Sequence, residues 1–305
     1  MMLVSVVTPC YNEELTISDC VQRLDAAMKA EGIAFEHILV DNASIDNTLE
    51  TLLRLKSEYD HVRVLKNEFN IGAFKSMQRG ILAARGELVV PFLASDCQDP
   101  PELIPKMLSV RSTVNCDTVA GVRKIRHDNF VISRFRGLFY RIIRIATKGR
   151  YHPGSSEFRL MSTARALQLA DIRDSIPFLR IYMAQTQGSV QYVEYEMAPR
   201  TAGTSSATFL PLVDDALNGI MLAAPSIFSR LLVLLIPLSL GGICVTIATL
   251  ALKLFGLTHS WAPIQWFLAC TAFLCVGLIQ VLIGHYVYMV HSQVRSGPTA
   301  TTTEL

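Results

Sequence analysis

Two long stretches without charged side chains, both near the C-terminal end, constrain the fold of this 305-residue chain most strongly. The first extends from Leu231 to Leu252 and is bracketed by Arg230 and Lys253. The second extends roughly from Ile264 to Val290. Because about 20 apolar residues in a helix cross a bilayer, we predict a transmembrane hairpin. A buried hairpin in a large soluble core is the alternative, which two such runs in succession disfavour.

The charges that flank the hairpin predict its orientation. Arg230 and Arg295 fall on one side, and the connecting loop offers only Lys253. The N-terminus lacks the basic region of a signal peptide, and it leads directly into an apolar, strand-like segment. Because positively charged flanks stay on the cytoplasmic side, we predict a cytoplasmic N-terminal domain.

Net charge and cysteine spacing exclude several classes of function. The formal net charge of +2 is too small to make nucleic acid the expected partner. The seven cysteines contain no CxxC pair, which argues against both a disulfide framework and a zinc site. We therefore expect reduced thiols.

The first 120 residues alternate between strand-like and helix-like patterns. Short apolar runs are followed by segments with apolar residues at helical spacing, and this alternation predicts a doubly wound, mostly parallel sheet in an α/β domain. The predicted strands are Leu3–Thr8, His37–Val40, Val62–Leu65 and Leu88–Leu93, and one predicted helix covers about Ala73–Ala84.

Three of these strands lead into polar clusters, which are Tyr11-Asn12-Glu13, Asp41-Asn42 and Asp96-Cys97-Gln98. Ligands bind at the carboxyl edge of open α/β sheets, and a carboxylate with an amide there can hold a hard divalent cation against a diphosphate. The alternative is an acidic strand-to-helix loop, with Glu102 in the first turn of the next helix. The residues alone leave both interpretations open. The absence of GxGxxG after the first strand, and of GxxxxGK[ST], disfavours dinucleotide and P-loop sites.

A basic, amphipathic stretch follows between Arg123 and Arg150. Its arginines and lysines alternate with large apolar residues, as in helices that lie on anionic membrane surfaces. A solvated helix face is the alternative. The predicted hairpin favours membrane contact.

Four segments together resemble family 2 glycosyltransferases with the GT-A fold. They are Pro9–Glu13 (PCYNE), Val40–Ser44 (VDNAS), Asn70–Gly72 (NIG) and Asp96–Glu102 (DCQDPPE). Two further segments, Glu157–Ser162 (EFRLMS) and Arg200–Ser205 (RTAGTS), resemble the polyprenyl-phosphate group, which includes dolichol-phosphate mannose synthase and the bactoprenol glucosyltransferases. The hairpin is typical of the bactoprenol branch.

The uncharged runs, the Thr-rich composition of the last residues and the resemblance together predict a division of the chain into four parts. Residues 1–208 form a cytoplasmic GT-A catalytic domain, and residues 209–229 form an amphipathic juxtamembrane helix. Residues 230–292 form an α-helical hairpin with two spans in the bacterial inner (cytoplasmic) membrane, and residues 293–305 form a disordered tail.

The resemblance also assigns site residues. It implies catalytic roles for Asp96, Glu157 and Arg159, with Asp96 and Gln98 holding Mg²⁺ or Mn²⁺. Glu157 is expected to orient Arg159 or an acceptor-site arginine. The nucleotide sugar is assigned to Pro9, Tyr11, Glu13, Asp41, Asn42 and Gly72, and the acceptor phosphate to Arg123, Arg126, Arg200 and Ser205.

The sequence departs from the family pattern at three places. Ala94 replaces the first Asp of the usual Asp-x-Asp, and Asn42 stands where a second Asp is common. Ser206-Ala207 replaces the usual Lys-Tyr after Ser205. Weaker cation binding is expected, and the identity of the donor is left open.

The resulting prediction is a metal-dependent, inverting glycosyltransferase bound to the membrane. It transfers a sugar from a nucleotide sugar, UDP-glucose by default, to undecaprenyl phosphate for modification of cell-surface polysaccharide. A homo-oligomer is left open. The alternatives are another donor such as GDP-mannose, and a non-catalytic scaffold or pseudoenzyme, for which Ala94 is the main argument. A processive polysaccharide synthase is disfavoured because the chain lacks QxxRW.

Overall fold

The computed structural model describes residues 3–124, 151–152, 154–172, 188–197 and 301–305. It also describes isolated positions between 137 and 149, at 182, and between 237 and 290. The chain divides into two compact units. The first comprises Met1–Arg173, Pro177–Gly219 and Gly297–Leu305, and the second comprises Asp174–Ile176 and Ile220–Ser296.

The first unit is built on a mixed sheet, which has eight strands in the described part of the chain. In chain order, its elements are β1 (Val4–Cys10), α1 (Ile17–Ala30), β2 (Phe35–Asp41), α2 (Thr48–Glu58), β3 (Val62–Asn67), α3 (Ala73–Ala83), β4 (Leu88–Val90), α4 (Leu103–Val114), β5 (Thr118–Arg123), β6 (Ser155–Ser162), α5 (Thr163–Ala170), β7 (Val190–Tyr195) and β8 (Thr302–Glu304).

The spatial order of the strands is β7-β5-β6-β4-β1-β2-β3-β8. Strands β4, β1, β2 and β3 run parallel, as does the β5–β7 pair. Strand β6 is antiparallel to both β4 and β5, and β8 is antiparallel to β3. The parallel, doubly wound half was predicted from the alternation of strands and helices, whereas the antiparallel additions were not.

Helices cover both faces of the sheet, because the parallel strands are apolar on both faces. On one face, Val4 and Val6 of β1 pack with Ile17 of α1, Leu52 of α2 and Met107 of α4. On the other face, Val7 and Ile38 pack with Met77 of α3 and Leu169 of α5. The prediction of a doubly wound domain is therefore confirmed for this part of the chain.

Two boundaries around the acidic loop differ from the predictions. Strand β4 ends at Val90, because Pro91 has no N–H to continue the ladder, although the apolar run predicted a strand up to Leu93. Glu102 is the residue before α4 rather than a member of its first turn. Its carboxylate accepts two hydrogen bonds from Arg23, at 2.7 and 2.9 Å, so it joins α4 to α1.

The last five residues are ordered, and the prediction of a disordered tail is wrong for them. Thr302–Glu304 pairs with β3, and Glu304 accepts hydrogen bonds from Arg63 Nε and Nη2 at 2.8 and 3.0 Å. The Thr-rich composition suggested disorder, but Thr is β-branched and suits an edge strand. The other residues of the predicted tail, 293–300, lie outside the described part of the chain.

Within the residues that the structure describes, no helix is both long and apolar enough to cross a membrane. The two predicted spans lie largely outside those residues, and the predicted juxtamembrane helix over 209–229 lies wholly outside them.

Candidate active site

A cavity of about 360 Å³ opens at the carboxyl ends of β1, β2 and β4. It is the edge at which the sequence predicted a ligand. Six of the predicted site residues line it, namely Pro9, Tyr11, Glu13, Asn42, Gly72 and Asp96. The fold thus brings them together, and their individual roles stay predictions. The remaining lining residues are Cys10, Asn70, Ala73, Phe92, Ala94 and Ser95.

The loop after β1 and the loop after β2 are joined by hydrogen bonds. Asn12 adopts a positive φ of 58°, its N–H donates to Ser44 Oγ at 3.2 Å, and its Oδ1 accepts the N–H of Ile45 at 3.0 Å. The N–H of Glu13 donates to Thr48 Oγ1 at 2.8 Å. These bonds hold the two loops as one wall of the cavity, with the exposed ring of Tyr11 at its rim.

Asp41 and Asn42, adjacent in the sequence, occupy different environments. Asp41 is almost fully buried, is not among the lining residues, and accepts the N–H of Ser44 at 3.2 Å. Asn42 lines the cavity and accepts the N–H of Ile71 at 2.9 Å. Asn42 is therefore the member of this pair that a ligand in the cavity would meet.

Two asparagines that were not assigned to the site from the sequence, Asn67 and Asn70, form hydrogen bonds with Asn42. Asn42 Nδ2 donates to Asn70 Oδ1 at 2.8 Å, and Asn67 Nδ2 donates to Asn42 Oδ1 at 3.2 Å. Asn70 Oδ1 also accepts the N–H of Gly72 at 2.9 Å. Gly72 has φ 83° and ψ 158°, a conformation that only glycine adopts readily. The loop before α3 therefore combines glycine geometry with a fixed amide network.

The acidic loop forms a tight turn on the opposite side of the cavity. Cys97 has φ 52°, and its N–H donates to the carbonyl of Ala94 at 3.2 Å. Asp96 Oδ1 accepts the N–H of Gln98 at 3.2 Å. Asp96 lines the cavity, whereas Gln98 is half-buried and is not one of the lining residues.

The donor atoms of this loop fit Mg²⁺ or Mn²⁺ brought in with a diphosphate. Asp96 and Gln98 offer carboxylate and amide oxygens, which are hard ligands. No group of three or more His, Cys, Asp or Glu residues suited to a metal occurs in the part of the chain that the structure describes. The protein would therefore provide a partial coordination shell, which the oxygens of the ligand and water would complete.

A buried polar cluster forms around Asp99, the residue that follows Gln98 at the end of the acidic loop. Asp99 is 1% exposed and receives Arg123 Nη2 at 2.9 and 3.0 Å and Arg123 Nε at 3.1 Å. Tyr195 donates its hydroxyl to Asp99 and lies 3.1 Å from Ser156 Oγ. Burial raises the pKa of Asp99, an effect that Arg123 and Tyr195 offset only in part. Asp99 and Tyr195 were not assigned to the site from the sequence.

Arg123, which was assigned to the acceptor phosphate, thus has a carboxylate partner within the chain. Burial alone would lower the pKa of Arg123, but Asp99, Tyr195 and Glu157 raise it above its usual value. The half-buried Glu157 therefore acts electrostatically on the Asp99–Arg123 pair. Whether Arg123 also meets a phosphate stays a prediction.

Arg159 is 1% exposed inside β6. It donates to the carbonyl of Ser156 at 3.1 Å and to Ser155 Oγ at 2.7 Å. This position suits a residue that organises the strand beneath the site. The other acceptor-phosphate residues that were predicted, Arg126, Arg200 and Ser205, lie outside the described part of the chain.

Comparison with known proteins agrees with the motifs. The sequence profile described as "Glycosyl transferase family 2" matches residues 5–172. An undecaprenyl-phosphate 4-deoxy-4-formamido-L-arabinose transferase of Pseudomonas paraeruginosa is 30% identical over 97% of this chain and 88% of its own. The protein of the same name from Salmonella paratyphi A is 25% identical over 97% of this chain and 91% of its own.

A solved structure shares the fold over most of the chain. Glucosyl-3-phosphoglycerate synthase from Mycobacterium tuberculosis, in complex with Mn²⁺ and UDP-glucose, aligns with a TM-score of 0.51 at 17% identity. The alignment covers 73% of this chain and 79% of that one. At this identity the similarity establishes the mixed α/β, GT-A-like fold and nothing further.

Proposed function

Because this chain belongs to glycosyl transferase family 2, we propose that it moves a sugar from a nucleotide sugar to a polyprenyl phosphate. The observation that carries this proposal is the cavity with Asn42 and Gly72 on one wall and Asp96 on the other. It has a polar, amide-lined side for a nucleoside and an acidic side for a metal-bound diphosphate. The names of the relatives, which align over 97% of the chain, support the class of acceptor.

The nucleoside half of the donor would lie against the joined loops after β1 and β2. The Tyr11 ring, 41% exposed at the cavity, offers a surface on which a base can stack. Glu13 and Asn42 offer oxygens for ribose or base N–H and O–H groups. Asp41 would act indirectly here, because it already accepts the backbone N–H of Ser44.

The diphosphate half would lie beside Asp96 and Gln98, which would hold Mg²⁺ or Mn²⁺. When bound, this cation supplies positive charge to the nucleoside diphosphate as it leaves. The structurally similar glucosyl-3-phosphoglycerate synthase was solved with Mn²⁺ and UDP-glucose, so Mn²⁺ is the first cation to test. The Asp99–Arg123 pair would keep the loop that carries both residues in one conformation.

Attack by the acceptor phosphate does not require a strong general base. A phosphate monoester is largely ionised near neutral pH, so its oxygen is already a nucleophile. Attack on the anomeric carbon breaks the bond between the sugar and the diphosphate, and the electron pair goes to the departing nucleoside diphosphate. A single displacement inverts the anomeric carbon. Glu157 would then orient Arg123 rather than remove a proton.

The lipid acceptor requires a site close to a bilayer. The uncharged runs Leu231–Leu252 and Ile264–Val290 would anchor the catalytic domain at the cytoplasmic face of the inner membrane. The basic stretch between Arg123 and Arg150 would contact anionic headgroups.

The test is a donor panel with the full chain in detergent, undecaprenyl phosphate and Mn²⁺. UDP-glucose, GDP-mannose and a nucleotide derivative of 4-deoxy-4-formamido-L-arabinose are compared by the mass shift of the lipid. One donor should give a lipid heavier by one sugar residue. Folded protein that binds the lipid but yields no product with any donor would favour the non-catalytic scaffold, with Ala94 as its basis.

A further inference from the structure

The C-terminal strand β8 reaches the proposed nucleotide cavity through hydrogen bonds. Thr302 pairs with Asn67 in the β3–β8 register, and the Thr302 hydroxyl donates to Asn67 Oδ1 at 2.9 Å. Asn67 is fully buried at the end of β3. The two residues are 235 positions apart in the sequence, so only the fold brings them together.

This hydroxyl satisfies the oxygen of the Asn67 amide, whose orientation is set by Asn42 Oδ1, an acceptor that also takes the N–H of Ile71 at 2.9 Å. With Oδ1 occupied by Thr302, Nδ2 donates to Ser76 Oγ at 2.9 Å and to Asn42 Oδ1 at 3.2 Å. A flipped amide would place its oxygen against Asn42 Oδ1, and two acceptors would then face each other. Thr302 could accept from a flipped amide, so its contribution is to satisfy the buried Asn67 Oδ1, which Thr302→Val would leave without this donor.

From Asn67, two chains of hydrogen bonds converge on Gly72. In one chain, Asn42 Nδ2 donates to Asn70 Oδ1, which accepts the N–H of Gly72. In the other chain, Ser76 Oγ donates to the carbonyl of Gly72 at 3.0 Å. Both polar groups of the Gly72 backbone are therefore held by side chains that are linked to Asn67 through hydrogen bonds, and the Gly72 carbonyl also accepts the backbone N–H of Ser76 at 3.1 Å.

We propose that Thr302 is a positioning residue for the donor, acting through the Asn67 amide on the loop that contains Gly72. This inference rests on the proposed function insofar as it places a nucleotide in the cavity lined by Asn42 and Gly72. The ion pair between Glu304 and Arg63 holds β8 in register, since Arg63 is itself fixed by Glu36 at 2.6 Å. The C-terminal strand thus supports the binding site from outside the cavity.

If β8 served only to cover the edge of the sheet, substitutions of Thr302 and Thr303 would have the same effect. Side chains alternate between the two faces of a strand, so Thr303 lies on the face opposite to Thr302, and it is exposed. Thr302→Val removes the hydroxyl and keeps both the shape and the strand propensity. Thr303→Val makes the same chemical change on the other face and is the matched control.

The experiment uses the full chain in detergent and has two readouts. Hydrogen exchange of a peptide that spans residues 70–73 reports on the loop without any ligand, and titration with UDP or GDP in the presence of Mn²⁺ reports on binding. Thr302→Val should speed exchange in this peptide and weaken nucleotide binding by about fivefold, the effect of one lost hydrogen bond. With an active donor, KM should rise by a similar factor while kcat is retained. Thr303→Val should change none of these quantities.

Three results would overturn the proposal. They are equal exchange in Thr302→Val and the wild type, equally faster exchange in both variants, and faster exchange in Thr302→Val with unchanged nucleotide affinity. If the wild type binds neither UDP nor GDP, the proposed donor site fails, and exchange alone then decides whether Thr302 orders the loop. The two failures are therefore distinguishable.

Discussion

Arg123 and Asp99 form a bidentate ion pair, in which Nη2 of Arg123 lies 2.9 and 3.0 Å from the two carboxylate oxygens. Asp99 follows Gln98 directly and is buried, so the pair fixes the end of the loop that also carries Asp96. Arg123 is the last residue of β5, and the pair therefore ties the proposed metal loop to the sheet.

Asp99→Asn should destabilise the protein and impair catalysis. The substitution leaves the Arg123 guanidinium without its anionic partner, at a cost of about 2–3 kcal/mol in the free energy of unfolding. Thermal unfolding in detergent and the Mn²⁺ dependence of activity are the measurements. Asp19→Asn, which breaks an exposed 3.7 Å pair with Arg23, is the control and should be nearly neutral. Equal unfolding midpoints for the two variants would contradict the assigned importance of the pair.

Ala94→Asp should strengthen the use of metal. Ala94 lines the cavity two residues before Asp96, and a carboxylate there adds a hard ligand to those that Asp96 and Gln98 offer. The Mn²⁺ concentration for half-maximal activity should fall by about fivefold, on the order of one added charged contact. Ala94→Asn adds a side chain of similar size without a charge and should change this Mn²⁺ concentration little. An unchanged requirement in Ala94→Asp would place the cation elsewhere.

Gly72→Ala should weaken donor binding through backbone strain alone. No atom lies within 4 Å of a Cβ built on Gly72, so its φ of 83° is the only obstacle. Such a conformation costs a non-glycine residue about 1–3 kcal/mol, and the loop would relax to another shape. The KM for the donor should rise about tenfold. Gly32→Ala is the control, because Gly32 has a φ of 62° and equally open space around its Cβ position but lies away from the cavity. A comparable rise in the donor KM of Gly32→Ala would refute the interpretation.

Acidification should destabilise the sheet through His37. Burial lowers the pKa of His37 to about 3, and the charge of His61 adds to this effect. Between pH 6.5 and about 3, the unfolded chain binds a proton that the folded chain does not bind. The free energy of unfolding should therefore fall with decreasing pH, by up to about 1.4 kcal/mol per pH unit from this group.

Comparison with His37→Gln isolates this titration. Glutamine does not titrate and can keep a hydrogen bond to Thr8 Oγ1, which lies 2.9 Å from His37 Nε2. The unfolding midpoint of the wild type should fall more steeply than that of the variant between pH 7.5 and 5. Parallel pH profiles would show that His37 is not the group responsible.

Local patterns in the sequence predicted the parallel half of the sheet and the edge where the cavity lies. Apolar strands that alternate with helices leave few topologies, and the segments that contain Asn42 and Asp96 both follow such strands. The sequence did not reveal the partner of Arg123, because Asp99 lies 24 residues earlier, in a loop, whereas Arg123 ends strand β5. The prediction of a disordered tail was wrong for the last residues, because no residue near Thr302 in the sequence indicates that this segment pairs with β3.

The most direct test compares sugar transfer to undecaprenyl phosphate by the wild type, Asp96→Asn and Asp19→Asn, with and without Mn²⁺. The lipid product is quantified by mass at equal amounts of folded protein in detergent. We expect Mn²⁺-dependent product from the wild type and Asp19→Asn, and a loss of at least about 100-fold in Asp96→Asn. Product formation by Asp96→Asn at the wild-type rate, or by the wild type in the presence of a chelator, would contradict a metal-assisted transferase centred on Asp96.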